Sequence, residues 1–228
     1  MNKLFNYFTK FEIGLWSTSV LLILISFCIF DRENYLTLVA SIIGATFLIF
    51  NAKGNPIGQF LTIVFSTIYG IISYGFSYYG ELITYVGMTL PMALFALISW
   101  LKNPYEKGKA EVKVNRISKK ETAFMTLLTI VVTVIFYFIL KHFNTANLIP
   151  STISVTTSFL AVYLTFRRSP YFALAYACND IVLIVLWVLA SITDISYLSV
   201  VICFVVFLVN DLYGFVSWKK MEQRQKSA

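Results

Sequence analysis

Long apolar runs separated by short polar joints dominate the sequence. Each run has close to the ~20 residues that cross the ~30 Å apolar core of a bilayer as a helix. The joints carry charged residues, Pro or Gly, and therefore mark the helix ends. The pattern predicts eight transmembrane helices, over residues 13–30, 35–50, 57–76, 82–101, 122–140, 150–166, 171–192 and 196–218.

The basic residues divide unequally between the two sides of the predicted membrane. With eight crossings, the side that holds the N-terminus receives sixteen of the 18 Lys and Arg residues, and the other side receives only Arg32 and Lys141. Basic loops are retained in the cytoplasm. We therefore expect both termini to be cytoplasmic, with the first helix retained because no small-residue cleavage site follows residue 30.

The composition excludes a soluble domain. Hydrophobic residues make up 58% of the chain and charged residues 13%, against about 45–50% and about 25% in soluble proteins. The basic residues behind the net charge of +7 lie in loops on the side of the N-terminus. They therefore indicate the orientation in the membrane, and we expect no nucleic-acid partner. The basic stretch 102–121 is predicted to be a solvated cytoplasmic loop, with contact to anionic lipid as the alternative.

Catalytic chemistry has little support in the sequence. His142 is the single histidine, the three cysteines lie within apolar runs, and there is no glycine-rich phosphate loop. These residues have no metal-ligand spacing and form no acid–base set. We therefore expect no cofactor, no metal and no enzyme activity.

Two parts of the chain share one plan, in which a Ser/Thr-bearing helix and a polar joint precede two helices that end in Ser-Trp. A shift of 118 positions aligns Trp100 with Trp218, Tyr69 with Trp187 and Tyr79 with Tyr197. The copies begin four crossings apart, an even number, so the repeats are parallel.

The predicted fold is an all-α integral membrane protein with eight transmembrane helices in a 1+3+1+3 arrangement and two parallel three-helix repeats. Its parts are an N-terminal extra transmembrane helix (1–34), a first three-helix bundle (35–101), a basic cytoplasmic loop with a linker helix (102–149), and a second three-helix bundle with a cytoplasmic tail (150–228).

Two acidic residues lie within apolar runs, each directly after an asparagine. A carboxylate at the centre of a transmembrane helix costs about 2.5–3.5 kcal/mol on insertion scales, and such residues face a bundle interior or a water-filled path. The alternative is that they join helices, but interhelical hydrogen bonds in lipid contribute only ~0.6 kcal/mol on average. We therefore predict a polar substrate site at membrane depth, formed by Asn179, Asp180, Asn210 and Asp211.

Aromatic residues at helical spacing accompany these acids and could stack on a flat, cationic, hydroxylated molecule. The first repeat offers polar side chains instead of acids, although Gln59 could also cap its helix. Trp100 and Trp218 are predicted to be interface anchors, and the Ser/Thr-rich run 150–166 to favour close helix packing. The residues added to the predicted substrate site are Tyr176, Trp187, Tyr213, Gln59 and Tyr69.

The sequences NDIVLIVLW (179–187) and NDLYGFVSW (210–218), with the parallel repeats and basic middle loop, resemble the PnuC family of bacterial vitamin transporters. The resemblance implies uptake of nicotinamide riboside, an NAD precursor, by facilitated diffusion, with cytosolic phosphorylation that traps the substrate. It also implies a SWEET-like arrangement of two bundles, a homotrimer and the bacterial inner (cytoplasmic) membrane.

The first repeat departs from the family pattern, because residues 91–100 keep only the final Trp of the N-x-Y-G-x-x-x-W ending. The alternatives therefore stay open. The cargo could be another vitamin such as thiamine or riboflavin, and transport could be coupled to protons through Asp180 or Asp211.

Overall fold

The computed structural model describes residues 7–75 and 79–227. A π-helix covers Ile83–Thr89, and a 3₁₀ turn covers Ile195–Tyr197. The α-helices are α1 (Lys10–Phe30), α2 (Tyr35–Ala52), α3 (Pro56–Gly75), α4 (Tyr79–Leu82), α5 (Leu90–Lys102), α6 (Lys119–His142), α7 (Leu148–Phe166), α8 (Phe172–Ser191) and α9 (Leu198–Ser227).

Eight stretches of the described chain are helical, long and apolar enough to cross a bilayer. One of them, Gly80–Lys102, combines most of α4 with the π-helix and α5. The prediction of an all-α membrane protein with eight spans is therefore confirmed. The aligned residue Tyr79 and the joint around it border positions 76–78, which lie outside the described residues.

Local sequence determines where the helices begin. Thr9 caps α1 by accepting a hydrogen bond from the Glu12 amide, while the Glu12 carboxylate accepts one from the Thr9 amide. Ser118 caps α6 by accepting a hydrogen bond from the Glu121 amide. Each cap satisfies amides that lack a partner within the first helical turn.

Helix α9 lies at the centre of the packing, because it contacts α8, α2 and α1. Helix α3 packs against α2 and α5, and α7 packs against α8, α6 and α5. We call the end that carries the joints 53–55, 103–118 and 167–171 the basic end, and the opposite end, with the joints 31–34, 143–147 and 192–197, the far end.

The interpretation of Trp100 and Trp218 as interface anchors is wrong. Their exposed fractions are 1% and 0%, and both pack against Phe172 within an apolar cluster at the basic end. Their indole N–H groups donate to backbone carbonyls of other helices. Buried indoles need such partners, so these residues close the bundle instead of marking a lipid boundary.

The basic stretch 102–121 is also less solvated than predicted. Val112 has no exposed surface, and its amide donates to the Gly54 carbonyl over 3.0 Å. Gly54 has φ +63, and an added Cβ would lie 3.2 Å from Val112 Cγ1. The end of α9 extends past the predicted boundary at residue 218 and holds this loop, since Gln225 accepts from the Val114 amide.

Candidate functional site

A cavity lies inside the bundle and has walls from both halves of the chain. It contains about 1070 Å³ of empty space, including its open mouth. The walls extend from Asp211 and Tyr176 to Glu81 and Thr145 at the far end. Towards the basic end, the packed rings of Trp100, Phe172 and Trp218 lie beyond Tyr176. Packed aromatic side chains therefore lie between Tyr176 and the basic end.

Two of the predicted acids line this cavity together. Asp180 on α8 and Asp211 on α9 are each 4% exposed, and both line the cavity from two helices that pack against each other. Asp180 Oδ2 is buried without a hydrogen-bond partner among the described residues. A buried polar atom without a partner is costly, and a ligand in the cavity could supply one.

Asn179 is held beside the acids by helix α7. Its Oδ1 accepts hydrogen bonds from Thr157 Oγ1 at 2.8 Å and Ser154 Oγ at 3.1 Å. With the oxygen engaged, the amide nitrogen is the donor left for a hydroxylated molecule. Ser151, Ser154 and Ser158 line the same wall, so this part of the Ser/Thr-rich run faces the cavity as well as packing helices.

Another part of the cavity wall is aromatic. Phe65 contacts Phe47 at a ring-centroid distance of 5.3 Å and Phe207 at 6.3 Å, and Tyr85 joins them at 6.2 Å from Phe65. All four residues line the cavity. Aromatic faces favour flat and cationic ligands, so the carboxylates and the rings form complementary sides of one site.

A π-helix carries part of the wall. Thr84, Tyr85 and Thr89 lie in Ile83–Thr89 and line the cavity. Pro91 follows, and it cannot donate to the preceding turn. π-Helical turns are rare and occur often at functional sites. The hydroxyl groups of Thr84 and Thr89 donate to the backbone carbonyls of Gly80 and Thr84 within this segment.

The remaining predicted residues lie elsewhere. Asn210 faces α1, where its Nδ2 donates to Ser19 Oγ at 2.9 Å, and Tyr213 donates to Glu12 Oε1 at 2.9 Å. Gln59 donates to Asn51 Oδ1 at 2.8 Å and joins α3 to α2. Tyr69 lines a separate cavity at the far end. The structure thus brings together Tyr176, Asn179, Asp180, Trp187 and Asp211.

Sequence reasoning missed Glu81 and the aromatic wall. Glu81 follows Gly80 in what the apolar pattern assigns to a polar joint, yet it lines the cavity. No periodicity distinguishes Phe47, Phe65 and Phe207 from the other phenylalanines in this aromatic-rich chain. The sequence offered one signal for Glu81, which is an acidic residue placed directly before the predicted span 82–101.

Comparison with known proteins decides the family. A family model described as nicotinamide mononucleotide transporter matches residues 34–220. The chain belongs to this family. Relatives that resemble it include the nicotinamide riboside transporter PnuC of Neisseria mucosa, with 25% identity over 97% of this chain and 86% of the relative. The PnuC of Haemophilus influenzae shares 21% identity over 84% of this chain and 82% of that protein.

A solved structure has the same fold. The crystal structure of a vitamin B3 transporter PnuC superposes with a TM-score of 0.81, covering 96% of this chain and 94% of that chain at 22% identity. The resemblance to PnuC proteins drawn from residues 179–187 and 210–218 is confirmed. As a family member, the chain is a multi-pass membrane transporter.

Proposed function

We propose that this protein takes up nicotinamide riboside by facilitated diffusion and that cytosolic phosphorylation traps the substrate. The observation that carries the proposal is the pairing of Asp180 and Asp211 with an aromatic wall inside one cavity. Nicotinamide riboside has a flat cationic ring, which suits carboxylates and aromatic faces, and a ribose whose hydroxyls suit Asn179 and the serines.

The charge of the cavity favours the riboside over the mononucleotide. Among the described residues that line it there are three carboxylates, Glu81, Asp180 and Asp211, and no Lys, Arg or His. A phosphate group would add negative charge next to acids without a basic side chain to pair with it. The riboside lacks that phosphate and keeps the cation.

The orientation follows from the basic residues. We propose that the basic end is cytoplasmic, in the bacterial inner membrane, so the part of the cavity near Glu81 and Thr145 lies towards the outside. The family resemblance further implies a homotrimer, which light scattering of the purified protein in detergent would test. A mass of one chain would contradict it.

Purified protein in liposomes tests the function. Labelled nicotinamide riboside should equilibrate across the membrane without an imposed gradient, and unlabelled riboside inside should accelerate entry by counterflow. Nicotinamide mononucleotide should compete at least about tenfold more weakly, equivalent to about 1.4 kcal/mol. Stronger competition by the mononucleotide or by thiamine would reassign the substrate. Accumulation that requires a proton gradient would favour a proton-coupled carrier using Asp180 and Asp211.

A further inference from the structure

A smaller cavity lies at the far end, next to the main one. It contains about 510 Å³ of empty space, including its opening. Glu81 and Trp187 line both cavities, so the two spaces meet at these side chains. A molecule that enters from the far end would pass them. We call this space the vestibule; it is lined by Asp31, Asn34, Thr37, Tyr69, Ile72, Glu81, Trp187, Ser196, Tyr197 and Val200.

The two acids of the vestibule differ in what holds them. Asp31 Oδ1 accepts a hydrogen bond from Asn34 Nδ2 at 2.7 Å and one from the Asn34 amide at 3.2 Å. These bonds close the turn between α1 and α2, so Asp31 has a structural role. The half-buried Glu81 carboxylate, in contrast, forms no hydrogen bond or ion pair with any described residue.

Rings flank Glu81 on both sides of the boundary between the cavities. Trp187 contacts Tyr197 at a ring-centroid distance of 5.3 Å, and Tyr69 in the vestibule contacts Tyr85 in the main cavity at 4.9 Å. A carboxylate between aromatic faces attracts a flat cation through both charge and ring contacts. An acid that has no partner among the described residues has, at this place, the chemistry of a ligand site.

We propose that Glu81 selects for positive charge on the entry path. It forms an outer subsite with Trp187 and Tyr69, which binds the cationic ring of the substrate before the molecule moves to Asp180 and Asp211. The proposal rests on nicotinamide riboside transport and adds a second, earlier contact. Such an acid raises the rate of capture of a cation in a salt-dependent way.

The test compares two substrates of nearly equal shape in proteoliposomes. Nicotinamide riboside is cationic, and its reduced dihydro form carries the same ribose without the charge. For Glu81→Gln, the KM for the cation should rise about tenfold while the KM for the reduced form stays unchanged, because only a charge contact is lost. Glu81→Asp should retain most of the preference for the cation, and Glu33→Gln, an exposed acid at the same end, should leave both values unchanged.

The outcomes separate the two proposals. If wild-type protein does not transport nicotinamide riboside, the proposed function fails and this inference fails with it. If wild-type protein transports it and Glu81→Gln has the same KM for the cation, or loses both substrates alike, only the role of Glu81 is overturned. If Glu81→Gln does not fold, the salt dependence of uptake by the wild-type protein tests the role of Glu81. Uptake of the cation must fall with rising salt while uptake of the reduced form stays constant.

Discussion

Trp100 and Trp218 lie with ring centroids 5.4 Å apart, and each donates its indole N–H to a helix in the other half of the chain. Trp100 Nε1 donates to the Thr165 carbonyl in α7 at 2.9 Å, and Trp218 Nε1 donates to the Asn51 carbonyl in α2 at 2.7 Å. Both acceptors lie in the last helical turn, where carbonyls lack a donor within the helix.

The preceding serines repeat the same exchange. Ser99 Oγ donates to the Phe166 carbonyl at 3.0 Å, and Ser217 Oγ donates to the Ala52 carbonyl at 2.7 Å. Each Ser-Trp pair thus binds the end of a helix in the other half of the chain. Reciprocal bonds of this kind are what two parallel repeats would produce, and they close the basic end.

Trp218→Phe should destabilise the protein. The variant keeps a buried ring but removes the indole donor of the Asn51 carbonyl, which then keeps the Gly54 amide as a donor. Loss of one such hydrogen bond costs about 0.5–1.5 kcal/mol. Thermal unfolding in detergent should show a lower Tm. Trp16→Phe is the matched control, because Trp16 donates to Thr46 on the exposed surface and its loss should shift the Tm less. Equal shifts would show that the buried bond is not important.

Asp180→Asn and Asp211→Asn should each lower uptake of nicotinamide riboside. Each change removes one negative charge from the cavity at nearly constant shape, and we expect at least about a tenfold loss, equivalent to about 1.4 kcal/mol. The measurement is the initial rate of uptake into proteoliposomes. Wild-type rates in both variants would remove these carboxylates from the site.

Asp194→Asn is the control for this pair. Asp194 lies at the far end outside both cavities, and the backbone amide of Ser196 holds the pKa of its carboxyl below the usual range. It therefore carries a charge at neutral pH without access to the cargo. Its replacement should leave the uptake rate unchanged, and a loss as large as that of Asp180→Asn would indicate a general electrostatic effect.

Tyr213→Phe distinguishes two roles for a residue that the sequence assigns to the substrate site. In the structure its hydroxyl donates to Glu12 and joins α9 to α1. On that basis the variant should lower the unfolding free energy by about 1 kcal/mol with no change in KM. A raised KM at unchanged Tm would instead support the sequence-based assignment.

Lys53→Met should weaken the packing of α1 more than Tyr213→Phe does. Lys53 Nζ lies 3.2 Å from the buried Glu12 carboxylate, and removing the cation leaves that charge with neutral donors only. We expect a loss of about 2 kcal/mol in unfolding free energy. Lys109→Met is the control, since Lys109 pairs with Glu106 on the exposed surface and such pairs contribute little.

The eight spans could be predicted from the sequence because lipid exposure acts on each segment separately. A run of apolar residues satisfies its own backbone as a helix and needs no partner for that. The same principle singled out Asp180 and Asp211, since an acid in such a run is costly wherever the helix packs. The two segments that carry the family resemblance, residues 179–187 and 210–218, begin with these same Asn-Asp pairs.

The direction of each side chain depends on packing. Asn210 and Asp211 are neighbours in the sequence, but consecutive helical positions point about 100° apart, so Asp211 faces the cavity and Asn210 faces Ser19. The sequence could not distinguish Glu81 from the other residues of its polar joint. The π-helix and the vestibule that give Glu81 a role form only when distant helices pack together.

The sequence by itself therefore determined the class of protein, the number of spans and the acids at membrane depth, since these depend on local hydrophobicity. Tertiary structure decided which polar groups share one cavity and which ones join helices. It also decided that Trp100 and Trp218 are buried. Those outcomes depend on contacts between residues far apart in the chain, and no local pattern records them.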